Sequence, residues 1–245
     1  MVYYNRKTKI TENIKDSKAL IFLYKTIPGR IILKVLTRKS VSKLFGLITN
    51  TKISTIYIKK FIDKNNIDIK KFEEKKYNSF NDFFTRKLKT SKIKELNKKM
   101  LISPCDSKLL VKEISNELTI TVKNSIYNIE NLIKEEISKE YEKGYCLIFR
   151  LSPEDYHRYH AFDDSKVIST KKINGILHTV NPVSYNNYHV FTENNREVTL
   201  LKTSNFKEVY QIEVGALNVG KIHNHDKKHL KDMKKKATFH SEDRQ

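Results

Sequence analysis

Apolar residues follow two different spacings along this 245-residue chain, and the change between them limits the folds available to it. Between residues 19 and 50, Leu, Ile, Val and Phe recur every three or four positions, as on one face of a helix. From residue 101 onward, the apolar residues instead form short runs between Gly, Asn and Pro, as in strands. We therefore predict an α+β fold, with helices over residues 1–100 and a mostly antiparallel β-rich domain over 101–245.

Several local elements can be predicted within this division. Strands are expected in three short apolar runs, at residues 145–151, 198–201 and 209–214. Residues 126–142 are an exception, because their Ile and Leu spacing indicates a helix. Residues 193–196, Glu-Asn-Asn-Arg, suggest a hairpin turn. Ser79 suggests the N-cap of a short helix that has Asp82 in its first turn.

The segment after Pro28 and Gly29 is predicted to be a basic amphipathic helix. Arg30, Lys34 and Arg38 are spaced four residues apart and would share one stripe of that helix. Such a helix can lie in a membrane interface, with apolar residues in the lipid and cations near anionic headgroups. An ordinary helix packed on the domain, with its cations in water, is the alternative reading.

The formal net charge of +20 suggests an acidic partner, which could be nucleic acid, an anionic membrane surface or an anionic substrate. The chain is also rich in Lys, Ile and Asn, as AT-rich genomes favour, so the charge alone does not choose among these partners. Cys105 and Cys146 lie far apart in the sequence, which argues against a disulfide framework or a structural zinc site. The N-terminal region shows no export signal. Its apolar stretches are much shorter than the roughly 20 residues that a membrane-spanning helix needs.

Two short segments carry the residue types needed for catalysis. The string LSPEDYHRYH at residues 151–160 places His157 and His160 three residues apart, which suits acid–base chemistry or metal binding near neutral pH. Two surface histidines in a polar loop would look the same. No HExxH helix is present, and we expect no metal site. In the string SPCDS at 103–107, Asp106 could orient a histidine or could simply form an Asx turn.

Six strings follow one another along the chain: FNDFFTRKL at 80–88, SPCD at 103–106, DYHRYH at 155–160, TVNP at 179–182, VFTENNR at 190–196 and VGALNVG at 214–220. Taken in order and at their spacings, they resemble the phosphatidylserine decarboxylases. Each string alone is weak, but all six in the same order form a specific match. The resemblance extends from near the N-terminus to about residue 222 and implies the α+β fold of that family, with a β-rich catalytic domain.

The resemblance also implies a mechanism. Members of the family are made as one chain that cuts itself before the Ser of a Gly-Ser-Thr sequence, and that Ser becomes a pyruvoyl cofactor. By this likeness, Asp106 would be the orienting acid and His160 the general base that activates the Ser. His157 would serve the later decarboxylation, contacting the substrate phosphate or carboxylate. The pyruvoyl carbonyl would bind the amine of phosphatidylserine and act as the electron sink.

The sequence departs from the family pattern at three places. Ser107 and Leu217 stand where Gly and a small hydroxyl residue are usual, which puts local geometry in doubt. After ATFH at 237–240, the family continues with Phe-Gly-Gly-Ser-Thr, whereas this chain reads Ser-Glu-Asp-Arg-Gln. The codons TTC GGA GGA TCG ACA A become TCG GAG GAT CGA CAA when one T of the first codon is deleted, and these encode the observed five residues. A one-base deletion would place the pyruvoyl-forming Ser at Arg244.

This interpretation makes the chain, as given, inactive in self-cleavage and decarboxylation. A natural divergent tail is the alternative, and the protein would then be a non-catalytic lipid-binding relative. By resemblance, the expected partners are phosphatidylserine, an anionic membrane surface, the chain's own C-terminal fragment and a second copy in a homodimer. The expected location is peripheral, on the cytoplasmic face of the cell membrane. A nucleic-acid-binding module would explain the charge but not the six strings, and a decarboxylase of a related serine lipid stays open.

Overall fold

A computed structural model of the chain describes residues 2–5, 8–13, 17–89, 101–123, 125–224, 229–230 and 235–240. For residues 223, 229–230 and 235–240 it describes the backbone alone. The tail at 241–245, where the pyruvoyl-forming Ser is expected, lies outside the described residues. The division of the chain at residue 100 stays a prediction.

The N-terminus forms a β-hairpin, which differs from the helical expectation for residues 1–100. Strand β1 (Val2–Asn5) pairs antiparallel with strand β2 (Ile10–Asn13). Val2, Tyr3 and Tyr4 are β-branched or aromatic, and such side chains favour strands. The Tyr3 hydroxyl also donates a hydrogen bond of 2.7 Å to the Glu12 carboxylate directly across the hairpin.

Short helices follow the hairpin up to residue 84. They are α1 (Lys18–Lys25), α2 (Ile27–Leu36), α3 (Lys39–Thr49), α4 (Ile56–Asn65) and α5 (Phe80–Phe84), with 3₁₀ turns at Lys52–Thr55 and Ile69–Lys71. The Thr26 side chain separates the first two helices, because its hydroxyl accepts a hydrogen bond from Gly29 N–H and so caps α2. At Gly29 a Cβ atom would lie 2.0 Å from the Phe22 carbonyl oxygen, so only glycine fits this close contact of α1 and α2.

The second part of the chain is built mainly from antiparallel strands. They are β3 (Lys108–Glu113), β4 (Thr119–Val122), β5 (Ser125–Asn128), β6 (Tyr145–Arg150), β7 (Arg158–His160), β8 (Ser165–Ile173), β9 (Arg196–Thr203), β10 (Glu208–Val214), β11 (Lys221–Asn224), β12 (His229–Leu230) and β13 (Lys235–His240). Two short helices, α6 (Ile129–Ile133) and α7 (Val190–Glu193), and a 3₁₀ turn at Lys139–Tyr141 interrupt them. The larger sheets have the strand orders β10-β9-β8-β12 and β11-β13-β7, and β3 pairs with β6 and β4 with β5. These observations confirm the α+β prediction.

Two local predictions need correction. The helix expected over 126–142 is present only at Ile129–Ile133, because the chain first completes β5 and the αL residue Lys134 then ends the helix. Residues 193–196 do not form a hairpin turn. Glu193 ends α7, and Arg196 begins β9. The Asn194 side chain is instead buried, and its amide N–H groups donate hydrogen bonds to the backbone carbonyl oxygens of His178 and Gly215.

Helix α1 is anchored to the β-rich part through the buried Tyr24 side chain. Its hydroxyl lies 3.2 Å from Nδ1 of His178 and accepts a hydrogen bond of 2.9 Å from Thr179 N–H. The rings of His178 and Tyr188 pack with centroids 4.0 Å apart. The Tyr24 hydroxyl oxygen accepts the hydrogen bond from Thr179 N–H, so the hydroxyl proton can be donated to Nδ1 of His178. Nδ1 must then hold a lone pair, which suits a neutral His178 ring. Burial lowers the pKa of His178 to about 4.

Candidate functional site

Helix α5 and the residues after it support one side of the site. The Ser79 hydroxyl accepts a hydrogen bond of 3.1 Å from Asp82 N–H, which confirms the predicted N-cap. Phe83 and Phe84 are buried on the inner side of this helix. The chain then turns at Thr85 and directs Arg86 into the interior, where it is 2% exposed. The first of the six strings thus forms a wall of aromatic rings with a buried cation beside it.

His157 lies against that wall at the end of the loop that follows β6. Its ring packs on Phe84 with centroids 4.0 Å apart, and the residue is 6% exposed. The loop is closed by the Asp155 carboxylate, which accepts a hydrogen bond of 2.6 Å from Ser152 N–H. Burial, reinforced by the positive charge of Arg86, lowers the pKa of His157 to about 3. His157 is therefore neutral at physiological pH.

One hydrogen bond determines the tautomer of His157. Its Nδ1 atom lies 2.9 Å from the backbone carbonyl oxygen of Asp155. A carbonyl oxygen can only accept, so Nδ1 must carry the ring proton. In the neutral ring, Nε2 then holds a lone pair and can only accept a hydrogen bond or a proton. This side chain is suited to act as a hydrogen-bond acceptor rather than as a cation that binds an anionic group.

The structure brings the segments of His160 and Asp106 together. His160 ends β7, and its backbone N–H donates a hydrogen bond of 2.8 Å to the carbonyl oxygen of Pro104. The turn at 103–107 therefore lies beside His160 and leads into β3. The His160 ring stacks on Tyr156 with centroids 6.2 Å apart. Asp106 is exposed at this turn, and its charge acts on Arg86 and Asp155.

Two charged residues of the site, Arg86 and Asp155, were not singled out from the sequence. Arg86 Nη2 donates hydrogen bonds of 3.1 and 3.2 Å to the carbonyl oxygens of Glu154 and Asp155. Burial raises the pKa of Asp155 to about 6. Both residues are within the six strings, so their residue types were visible. Their burial, which makes them unusual, follows from contacts distant in sequence.

The N-terminal hairpin and β3 support the same loop from the other side. Lys108 Nζ donates hydrogen bonds of 2.9 Å to Ser152 Oγ and 3.0 Å to the Glu154 carboxylate. The same ammonium lies 4.9 Å from the centre of the Tyr3 ring in β1. The loop that carries His157 is thus held between residues from three separate parts of the chain.

Strand β13 leads the chain towards this site. It pairs antiparallel with β7, with Lys235 opposite His160 and Thr238 opposite Arg158. Because the pairing is antiparallel, β13 runs from the His160 end of β7 towards the loop of His157. Strand β13 therefore ends, at His240, on the His157 side of the site. Among the described residues, no cluster of three or more His, Cys, Asp and Glu side chains could hold a metal ion.

Acid is expected to destabilise the protein between about pH 6.5 and pH 4. The pKa values of His157 and His178 in the folded chain, about 3 and about 4, lie below the ordinary value of 6.5, so unfolding takes up protons in this range. The pKa of Asp155 is raised from its ordinary 3.8 to about 6, so this carboxyl binds its proton more tightly in the folded chain and opposes the effect. It is a single group, whereas two histidines act in the other direction. We expect the free energy of unfolding to fall by a few kcal/mol from pH 7 to pH 5, measured by urea unfolding followed by circular dichroism.

Two variants test this assignment. His178→Gln keeps an acceptor near Tyr24 but cannot titrate, so it should lose less stability than the natural chain over the same pH step. His189→Gln replaces an exposed histidine and should leave the full acid effect in place. An unfolding free energy that is equal at pH 7 and pH 5 in the natural chain would rule out the buried, neutral state of these histidines.

Comparison with known proteins gives consistent matches. The family model for phosphatidylserine decarboxylase matches residues 80–243. The chain is 47% identical over 243 residues to phosphatidylserine decarboxylase proenzyme 2 of Clostridium acetobutylicum, covering 97% of this chain and 80% of the relative. It is 41% identical over 228 residues to the phosphatidylserine decarboxylase proenzyme of Clostridium tetani, covering 90% and 77%. The proenzyme of Ruminiclostridium cellulolyticum is also 41% identical over 228 residues, with 89% and 76% covered.

Proposed function

This chain belongs to the phosphatidylserine decarboxylase family, and we propose that, once its Gly-Ser-Thr frame is restored, it forms phosphatidylethanolamine with a pyruvoyl group made from its own serine. The reaction is the decarboxylation of phosphatidylserine in phospholipid biosynthesis. The observation that carries the pyruvoyl proposal is the convergence of the Asp106 turn, His160 and the neutral His157 at the place to which β13 leads. The relatives are named proenzymes, which supports synthesis of the family as a precursor chain.

In this proposal, Asp106 and His160 act in self-cleavage. A serine hydroxyl is a weak nucleophile and needs a base to remove its proton. His160 would take that proton, and Asp106 in the adjoining turn would stabilise the imidazolium that results. The bond of 2.8 Å between His160 N–H and the Pro104 carbonyl supports this pairing, because it keeps the turn and the strand in register.

His157 and its aromatic surroundings act on the substrate in this proposal. The pyruvoyl group would supply a carbonyl that binds the substrate amine and accepts the electrons released with carbon dioxide. The direction of β13 fits such a group, because this strand runs from the His160 end of β7 towards the loop of His157. Through Nε2, His157 would accept a hydrogen bond from the reacting end of the substrate. The rings of Phe83 and Phe84 exclude water, which favours conversion of a carboxylate into neutral carbon dioxide.

We propose that the nucleophile is encoded by a displaced Phe-Gly-Gly-Ser-Thr reading frame, with the Ser at position 244. The 245 residues contain no Gly-Ser pair. The first experiment is to sequence the genomic locus through codon 241 and about sixty codons beyond, a length that holds further strands. We expect a displaced frame that encodes Gly-Gly-Ser-Thr and an apolar strand. A true stop after Gln245 would instead favour the non-catalytic lipid-binding alternative.

The enzyme assay then uses the chain with that frame restored. We expect it to split into two fragments on a denaturing gel, with the mass of a pyruvoyl group at the N-terminus of the smaller one. The processed protein should release carbon dioxide from phosphatidylserine labelled in its carboxyl group, while the 245-residue chain does neither. Failure to split despite an intact Gly-Ser-Thr would contradict the pyruvoyl proposal. A panel of other serine lipids separates the headgroup specificities that the sequence left open.

We also propose that helices α1–α4 attach the protein to the cytoplasmic face of the cell membrane. The buried residues of α3 are all small or polar: Ser42, Gly46 and Thr49. Helices α1, α2 and α4 turn apolar residues inward as well, among them Tyr24, Leu33 and Phe61. Large apolar residues nevertheless face solvent on these four helices and on the 3₁₀ turn between α3 and α4: Ile21, Phe22, Ile27, Ile31, Ile32, Val35, Leu44, Phe45, Leu47, Ile48, Ile53, Ile56 and Tyr57. An exposed apolar surface of this size supports a contact with lipid.

Charge around the same surface supports an anionic membrane. Residues 17–62 contain ten Lys and Arg but no Asp or Glu. Arg30 and Lys34 are exposed on α2 beside the apolar residues Ile31 and Val35. Cations at that position attract anionic headgroups such as that of phosphatidylserine. Within the described residues, no helix is both long enough and apolar enough to cross a bilayer, so peripheral attachment is the form we propose.

A further inference from the structure

Arg86 places a positive charge inside the protein. It is 2% exposed, and it forms no salt bridge in the part of the chain that the structure describes. The rings of Phe72 and Phe83 flank its guanidinium, with centroids 4.4 and 5.0 Å from Cζ. Such cation–π contacts offset only part of the cost of burying a charge. The location of Arg86 therefore calls for a reason beyond packing.

The hydrogen bonds of Arg86 are made to one loop only. Its Nη2 atom donates to the carbonyl oxygens of Glu154 and Asp155, whereas Nε and Nη1 have no acceptor among the described residues. Arg196 provides a contrast within the same chain, because it is equally buried but uses Nε, Nη1 and Nη2 on backbone carbonyls. Arg196 thus has the bonding of a structural arginine. Arg86 leaves two donors unused, which is costly for a purely structural role.

The Asp155 carbonyl oxygen joins Arg86 to His157. It accepts from Arg86 Nη2 at 3.2 Å and from His157 Nδ1 at 2.9 Å. A carbonyl oxygen has two lone pairs, so both bonds can exist together. Arg86 therefore holds in place the acceptor that determines the tautomer of His157. The charged groups around this loop are Arg86 after α5, Asp106 before β3, Lys108 in β3, and Glu154 and Asp155 in the loop itself.

We propose that Arg86 is a positioning residue for His157. By holding the Asp155 carbonyl, it keeps the ring proton of His157 on Nδ1, and its own charge disfavours a second proton on Nε2. Nε2 is then available as an acceptor at all physiological pH values. This inference rests on the proposed function, in which His157 faces the substrate, but the arrangement itself can be tested without catalysis.

The test of the arrangement is nitrogen NMR of the histidine rings in the 245-residue chain. His157→Gln identifies the signal of His157. In the natural chain, this signal should show the tautomer protonated at Nδ1 and should not titrate between pH 8 and about 5, as expected for a neutral buried ring. Arg86→Gln should mix the two tautomers and raise the pKa of His157 by about 1 or more. Lys87→Gln removes the neighbouring exposed charge and should change neither property.

A second variant keeps the test decisive if Arg86→Gln does not fold. Arg86→Lys retains the charge without the planar fork, so the ring should stay neutral while its tautomers mix. The remaining histidine signals and the circular dichroism spectrum report whether each variant is folded. A folded variant in which His157 keeps the natural tautomer and titration would overturn the proposal.

Kinetics of the processed enzyme separate this inference from the function on which it rests. Arg86→Gln should lower kcat for decarboxylation about tenfold or more, change KM little, and move the acid limb of the pH profile to higher pH. Suppose that the NMR signals change as expected but kcat and the pH profile do not. Then Arg86 positions His157, and it is the proposed role of His157 that fails. If the NMR signals do not change, the inference about Arg86 fails, whatever the kinetics show.

Discussion

Replacing His160 by alanine is expected to stop self-cleavage in the chain that carries the restored Gly-Ser-Thr frame. Without a base, the serine hydroxyl keeps its proton and attacks the preceding carbonyl poorly, so cleavage should slow by a factor of about a thousand or more. The turn of Asp106 would remain in place, since its contact with residue 160 is a backbone bond to the Pro104 carbonyl. The measurement is a time course of the two fragments on a denaturing gel after synthesis of the chain.

His189 provides the matched control for this substitution. It is an exposed histidine at the start of α7, and His189→Ala should cleave at the natural rate. Asp106→Asn should give an intermediate rate, because the base remains but the imidazolium is less stabilised. The His160 ring also stacks on Tyr156, so thermal unfolding must show that His160→Ala is folded. Cleavage of the folded variant at the natural rate would remove His160 from the proposed mechanism.

Three substitutions on α2 are expected to release the protein from membranes. Ile27, Ile31 and Val35 are 70%, 63% and 50% exposed, so glutamine at these positions should disturb the fold little while keeping the helix. If each side chain contributes about 1 kcal/mol on entering the interface, partitioning should weaken by a factor of about a hundred. The measurement is co-sedimentation with vesicles of phosphatidylserine and phosphatidylcholine, compared with vesicles of phosphatidylcholine alone.

The chain offers a matched control on a different surface. Leu109, Val111 and Leu147 are also exposed, on the paired strands β3 and β6, and their replacement by threonine should leave vesicle binding unchanged. Binding of the natural chain should weaken with salt, because cations next to the apolar residues contribute to it. Equal binding by the α2 variant would contradict the membrane proposal. A change from dimer to monomer without any change in vesicle binding would assign this surface to a homodimer instead.

Local features of the chain were readable because they depend on neighbouring residues. The N-cap at Ser79 involves an N–H three residues away, and strands β6, β9 and β10 follow from short apolar runs and the residues that bound them. The six strings indicated the family for a similar reason, since the residue types and their order are visible in any listing of the sequence. The hairpin at the N-terminus was missed because the helical spacing farther along the chain was extended over it.

Only the tertiary structure decided which environment each of these residues has. The sequence predicted that α2 has an apolar face. Only the packing of α1–α4 showed that this face is exposed, while Gly29 of α2 and the small residues of α3 are buried. Spacing placed His157 and His160 in one string, whereas burial against Phe84 makes His157 neutral. Arg86 reaches the His157 loop across nearly seventy residues of sequence. A residue's pKa, tautomer and solvent exposure depend on groups brought together by folding, and such contacts between distant residues leave no local pattern in the sequence.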